Sequence, residues 1–148
     1  MEYVARRPLF DRLLDENADI LEDNGSPSLI TKEELKESIG KELSSLLNTR
    51  CVLPQKLQKE VLPLSYGLPY LFGLQEEEDM TNPILQRKWA QKLEQIIAYF
   101  EPRLSNPKVK IQSFGHRKQN LEITIEGYLL THKVREKVTF PLHIEINY

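Results

Sequence analysis

Sulfur is scarce in this chain. Cys51 is the only cysteine among 148 residues, beside two methionines. A lone thiol excludes a disulfide framework and any metal site built on cysteines, and it fits a reducing, cytoplasmic compartment. Long apolar runs are missing too. No stretch of 18 apolar residues occurs, and Met1 to Phe10 lacks the apolar centre of a secretory signal, so neither a membrane span nor export by a cleaved signal is expected. Neither charge sign dominates. A formal net charge of −2 gives no whole-chain signal for nucleic acid or for direct membrane insertion, and basic surfaces interleaved with aromatics are lacking. No glycine-rich phosphate loop and no nucleophile elbow is present. His116, His132 and His143 fall in or beside different strand-like segments, and none has metal-ligand spacing to Asp, Glu or Cys. The 22 acidic residues will always offer carboxylate pairs on a small domain, so their abundance is no sign of sugar hydrolysis. No catalytic residue, metal or cofactor is assigned.

What is present suits one domain with a real core. The apolar fraction is 40% and the charged fraction 28%, both ordinary for a globular protein. The charge is uneven. Residues 1–50 hold 7 basic and 11 acidic residues, a net of −4, and residues 101–148 hold 8 and 5, a net of +3. The acidic front and basic back could meet each other or different partners.

The stretch Pro83 to Arg103 carries the least ordinary chemistry, and the chain is expected to be organised around it. Asn82 can cap a helix, and Pro83 suits its first position, where no N–H is needed. Leu85, Trp89, Leu93, Ile96, Ile97 and Phe100 recur at helical spacing. Pro102 disfavours helical geometry at Glu101, so the helix should end near Phe100. Glu101 and Arg103 flank that proline. In an extended segment they would lie on the same side, giving a rigid carboxylate–proline–guanidinium corner. That corner suits partner recognition better than catalysis. The plainer alternative is a solvated, charged helix end.

An earlier helix begins after Thr31, where Thr31 and Glu34 form a capping box. Leu35, Ile39, Leu43, Leu46 and Leu47 make its core-facing stripe, so it should run to about Leu47. Asn48-Thr49-Arg50 follows. It reads either as a helix closure, with Arg50 favouring the negative end, or as a reach toward a specific carboxylate or backbone site. Residues 1–8 look weakly ordered. Pro8 to Leu14 can form a short amphipathic helix with Leu9, Phe10, Leu13 and Leu14 on one side, too short to stand alone and so needing a surface to dock on. Residues 15–30, with Asp23-Asn24-Gly25-Ser26-Pro27, read as a linker. The division expected is a docking segment and linker at 1–30 and a domain at 31–148. Residues 51–79 read as irregular, broken by Pro54, Pro63 and Pro69. Within them, Ser65-Tyr66-Gly67-Leu68-Pro69-Tyr70 reads as a loop with aromatic anchors, and Gly67 permits backbone geometry other residues resist. Glu76 to Asp79 reads as a solvated acidic run.

After the second helix the period becomes two. Val109 and Ile111, then Leu121, Ile123 and Ile125, then Val138, Phe140, Leu142, Ile144 and Ile146 alternate with polar residues. Turn-rich connections at Phe114–Asn120 and Thr131–Arg135 suggest an antiparallel meander. Pro141 cannot donate to a ladder, so the last strand should be an edge strand or bulge there. An edge strand near a free terminus invites another chain to pair with it. The fold class is thus α+β, amphipathic helices packed on a small three-stranded antiparallel sheet.

Three separated stretches, Leu46-Leu47-Asn48-Thr49-Arg50, Ser65-Tyr66-Gly67-Leu68-Pro69 and Phe100-Glu101-Pro102-Arg103-Leu104, together resemble the lysozyme-like baseplate wedge family of contractile phage tails, in the family's order. Leu9-Phe10-Asp11-Arg12-Leu13-Leu14 looks more particularly like its bacterial branch, the type VI secretion subunits of the TssE kind. The likeness spans about residues 9–148. It implies a structural role in a sixfold baseplate. Glu101, Pro102 and Arg103 would contact the wedge's core bundle, the proteins TssF and TssG. Leu9, Phe10 and Leu13 would dock on a further wedge protein. The α/β domain would be similar to the interlocking (handshake) domain of sheath subunits, so the last strand, with Ile144 and Ile146, would help the first sheath ring form by strand exchange. Asn48, Thr49, Arg50, Tyr66 and Gly67 would be structural, with a partner contact as second choice for Asn48 and Arg50. Phage-tail and related injection particles are the near alternative. A peptidoglycan-cleaving enzyme using Glu101 or another glutamate as general acid is the distant one, and Arg103 argues against Glu101 in that role by favouring the charged carboxylate.

Overall fold

The computed structural model describes residues 3–6, 29–51, 66–69, 82–114, 120–131 and 135–146. The elements run β1 (Tyr3–Arg6), β2 (Leu29–Thr31), α1 (Lys32–Asn48), β3 (Arg50–Cys51), β4 (Leu68–Pro69), α2 (Pro83–Phe100), β5 (Leu104–Phe114), β6 (Asn120–Leu130) and β7 (Arg135–Glu145).

Both helices start for the reasons their sequences give. The Glu34 N–H donates to Thr31 Oγ1 at 3.3 Å while the Thr31 N–H donates to Glu34 Oε2 at 2.7 Å, a closed capping box. The Ile84 N–H donates to Asn82 Oδ1 at 2.9 Å, and Pro83 opens α2 where a missing N–H costs nothing. α1 buries Leu35, Ile39, Leu43, Leu46 and Leu47, whereas α2 buries Trp89, Leu93 and Ile97. The centre of the core is therefore α1, not the Pro83–Arg103 helix. Ile96 and Phe100 are only partly buried, because α2 covers the flank of the sheet beside β5.

β5, β6 and β7 form an antiparallel meander in that order. Val109, Leu121, Ile123, Ile125, Leu129, Val138, Phe140, Ile144 and Ile146 share one core with the two helices. α2 packs along β5 and α1 along β7. The opposite sheet face is polar. Glu126 accepts from Lys110 Nζ at 2.6 Å and from Lys137 Nζ at 3.1 Å, an ion ladder across all three strands. Gly127 makes room for Leu104, since a Cβ there would sit 2.6 Å from the Leu104 side chain.

β5 starts directly after the α2 corner and runs longer than the alternation of Val109 and Ile111 suggests. Its first turn shifts register between Ser105 and Lys108, where Asn106 has φ 52 and Pro107 offers no N–H. That bulge hides the alternation.

Two expectations change. Residues 3–6 are not weakly ordered, because β1 pairs antiparallel with β2. Residues 51–79 are not wholly irregular, because β3 pairs parallel with β4, Arg50 opposite Leu68 and Cys51 opposite Pro69. Strands of two to four residues are too short to leave a period in a sequence. The connections 115–119 and 132–134, the segment Pro8–Leu14 and the run Glu76–Asp79 lie outside the described residues. None of the helices among the described residues is long and apolar enough to cross a membrane.

Candidate partner-binding site

The three motif stretches meet around α1. At the end of α2, Glu101 turns its backbone out of the helix while its N–H still donates to Ile97 O at 2.8 Å. Its carboxylate is interior, with 1% of the residue exposed. Both oxygens are taken by Arg103. Nε donates to Oε1 at 2.7 Å, Nη2 donates to Oε2, and the Arg103 backbone N–H adds a bond to Oε1 at 3.2 Å. The fork geometry of the guanidinium matches the carboxylate in a way that an ammonium could not. Arg103 Nη1 reaches back to Ser38 Oγ on α1 at 3.0 Å. The Arg103 side chain remains 31% exposed, and Pro102 is exposed beside it.

The sequence places Glu101 and Arg103 on one side, and they are. It does not reveal that the carboxylate faces inward. Glu101 thus orients the guanidinium rather than offering its own oxygens. A general acid must present its carboxyl to a substrate, and this one is enclosed by its own arginine. Ser38 has no sequence signal, being one polar residue among several on α1.

Tyr66 closes the other side of the corner. Its ring stands edge-on to Phe100 at 5.4 Å, and its hydroxyl donates to Glu42 Oε1 at 2.7 Å. Burial, and then the hydrogen bond to Glu42 and the charges of Glu42 and Glu101, pushes the phenol above its ordinary pKa. Gly67 follows with φ +105, and a Cβ there would lie 2.5 Å from Thr49 O, which accepts the Leu68 N–H at 2.8 Å. The glycine lets β4 approach the end of α1.

The Asn48-Thr49-Arg50 triplet does more than close a helix. Asn48 Nδ2 donates to Ser44 O at 3.0 Å, and Thr49 Oγ1 donates to Ser45 O at 2.7 Å, so two carbonyls of the last turn of α1 gain side-chain donors. The same Asn48 amide also grips β7. Nδ2 donates to His143 O at 3.1 Å, and Oδ1 accepts the Glu145 N–H at 2.9 Å. Arg50 Nη2 donates to Glu145 O at 2.7 Å. Burial lowers the Arg50 pKa from its ordinary value.

These contacts define the edge of the sheet. β7 is an edge strand, and Pro141 lies on it without a register shift. Backbone groups alternate direction along a strand. The bonds from His143 and Glu145 to Asn48 and Arg50 show that the odd positions point away from β6, as the proline's missing N–H requires. The even positions pair with β6, and Ile144 and Ile146 are buried in the chain's own core. This corrects the picture of a freely exposed last strand. The side chains of Ile144 and Ile146 are not surface residues, and the final backbone groups of the edge are already occupied. Leu9, Phe10 and Leu13 lie outside the described residues.

A shallow groove of about 460 Å³ lies elsewhere, between α2 and β5, with Arg87, Glu94, Lys108 and Val109 among its walls. Its one acid, Glu94, accepts the Val109 N–H at 3.0 Å and the Lys108 ammonium at 3.3 Å. The groove does not include Glu101. Among the described residues no group of His, Cys, Asp and Glu is placed to hold a metal ion.

The family model of the baseplate wedge protein gp25 matches residues 33–134, from the first turn of α1 to the approach to β7. The chain belongs to the gp25 baseplate wedge family. Its role is therefore that of a structural component of a tail baseplate, associated with other baseplate subunits. No curated protein matches the sequence. Among solved structures, a Geobacter sulfurreducens protein bearing the name of a tail lysozyme is 15% identical, with 80% of this chain and 97% of that one covered at a TM-score of 0.44. A likeness that loose carries no argument about activity. Within this gp25-family chain, the matched residues include Asn48, Arg50, Tyr66, Gly67 and the whole Glu101–Arg103 corner.

Proposed function

We propose that this gp25-family chain is the TssE-type wedge subunit of a type VI secretion baseplate, acting in the cytoplasm without catalysing a reaction. It joins the wedge core bundle of TssF and TssG to the sheath and helps the first sheath ring to form. The domain at 31–148 carries both contacts, and the segment at 1–30, with Leu9, Phe10 and Leu13, docks on a further wedge protein.

The observation that carries this reading is the corner at Glu101, Pro102 and Arg103. Arg103 is held by three bonds to a buried carboxylate and one to Ser38, yet its side chain stays 31% exposed. A pre-oriented guanidinium loses little freedom on binding and can make charge-assisted bonds to a partner's carbonyls or carboxylates. The exposed Pro102 beside it keeps the corner rigid. The sheath side of the reading rests on the open part of the β7 edge, Lys137 to Thr139, whose outward backbone groups suit main-chain pairing with an added strand.

The test is co-purification of the chain with its neighbouring wedge proteins, comparing wild type with Arg103→Ala and Arg103→Lys and following the fold by circular dichroism. Arg103→Lys keeps a cation for Glu101 and loses the fork, so it protects the test against simple unfolding. Folded variants that lose their partners support the reading, and folded variants that keep them overturn it.

A further inference from the structure

The Asn48 side chain occupies the β7 edge as a neighbouring strand would. Its amide gives one N–H to His143 O at 3.1 Å and takes the Glu145 N–H at 2.9 Å. A residue on a parallel partner strand makes that same pair of bonds to the two residues flanking its opposite number, here Ile144. A carboxamide and a peptide group have the same donor and acceptor, so one side chain stands in for one residue of backbone. Arg50 Nη2 covers the next outward acceptor, Glu145 O, at 2.7 Å. Pro141 has no N–H to offer. Among the described residues the outward backbone groups of Lys137 and Thr139 are open, whereas His143 O and both backbone groups of Glu145 are taken by the end of α1.

We propose that Asn48 and Arg50 form a removable cap on this edge, displaced when an extended segment of a sheath subunit adds to β7. The proposal rests on the reading of β7 as the sheath-facing edge. The cap is suited to removal because it is made of two side chains at the end of α1, both near the surface, whereas the even positions of β7 are tied into β6. Asn48 and Glu145 are exposed and Arg50 is half-buried. An incoming strand would offer backbone groups to His143 O, Glu145 N–H and Glu145 O in exchange for the side-chain groups, so these three strand groups would be paired in either state. The cap would also keep two copies of the chain from joining edge to edge.

The test is hydrogen exchange of the full chain, read at single amides, on wild type and on Asn48→Ala. A removable cap opens without unfolding the strand. The Glu145 amide should then exchange roughly a hundredfold or more faster than the Ile144 and Leu142 amides, which pair with β6. Asn48→Ala should speed Glu145 to nearly the rate of an unprotected amide, while Ile144 and Leu142 rise only by the roughly 5–30-fold shared by all amides that open through global unfolding. Asn48→Asp, which keeps the acceptor for Glu145 and loses the donor to His143, should leave Glu145 slower than in Asn48→Ala. Equal rates at Glu145 and Ile144, or an equal rise at both in Asn48→Ala, would overturn the cap and make Asn48 a plain structural tie. Added sheath subunit should slow exchange at Thr139 and Glu145 and should do so at lower concentration with Asn48→Ala. A locally opening Glu145 with no response to sheath subunit would overturn the sheath reading while upholding the cap.

Discussion

The two helices among the described residues both end in a polar residue, a spacer and an arginine, and the two endings do opposite things. At the end of α2, Glu101 and Arg103 satisfy each other across a proline and the contact closes within three residues. At the end of α1, Asn48 keeps one bond to its own helix at Ser44 O, yet both Asn48 and Arg50 reach His143 and Glu145, 95 to 97 residues further on. The difference follows from chemistry. A carboxylate beside a guanidinium finds a strong partner at once. A carboxamide holds a donor and an acceptor at fixed separation, which matches the backbone groups along a strand edge. The first ending fixes the geometry of an arginine whose side chain stays 31% exposed. The second holds the chain's own last strand.

The largest effect should come from breaking the first ending on its buried side. Glu101→Ala strands Arg103 beside an interior gap and should cost about 3–5 kcal/mol, the range for removing one partner of a buried pair. Urea denaturation measures it, and a loss under about 1 kcal/mol would mean that the carboxylate is not interior in solution. Gly67→Ala should come next, at about 2–3 kcal/mol, since φ +105 and a Cβ 2.5 Å from Thr49 O strain the approach of β4 to α1. An unchanged urea midpoint would show that the two endings are not tied together through Thr49. Asn48→Ala should cost about 1–2 kcal/mol, less than Glu101→Ala because the backbone groups it frees at β7 can turn to water. Thr139→Pro removes an outward N–H from the open edge and should leave stability within about 1 kcal/mol of wild type while blocking sheath initiation. Normal sheath numbers in that variant would remove β7 from the sheath contact. The smallest effect belongs to the polar sheet face. Hydrogen bonds from Lys110 and then Lys137 hold Glu126 below its ordinary carboxylate pKa. A depressed carboxylate stabilises the folded state above its unfolded pKa, so this contribution should fade as pH drops below about 4.5 and should be absent in Glu126→Gln. Superimposable pH–stability curves for the two proteins would show that the ladder contributes nothing measurable.

The contrast between the endings also explains what the sequence discloses. Thr31 with Glu34, Asn82 with Pro83 and the alternation of Leu121 to Ile125 are local signals, and each becomes the element it announces. Pro141 marks an edge strand from one missing donor. The same-side placement of Glu101 and Arg103 is legible because it needs only the geometry of two residues. The burial of that carboxylate is not, since it depends on where α1 and Tyr66 lie. The grip of Asn48 on Glu145 has no local trace at all, and neither does the pairing of β3 with β4, where Gly67 is the single hint. The helix with the more unusual ending, α2, draws attention in the sequence, yet α1 sits deeper because β7, β2, β4 and α2 all pack on it.

The most direct measurement compares the two arginines under one assay. The affinity of neighbouring wedge proteins is measured for wild type, Arg103→Lys and Arg50→Ala, each alongside its urea midpoint. A partner-facing Arg103 should lose binding by about 30-fold or more on becoming lysine, the low end for truncating a charge-assisted interface bond, with little change in midpoint. Arg50→Ala should show the reverse, a lowered midpoint with binding retained. Wild-type affinity in Arg103→Lys, or an equal loss of binding in Arg50→Ala, would contradict the assignment of one ending to the partner and the other to the fold.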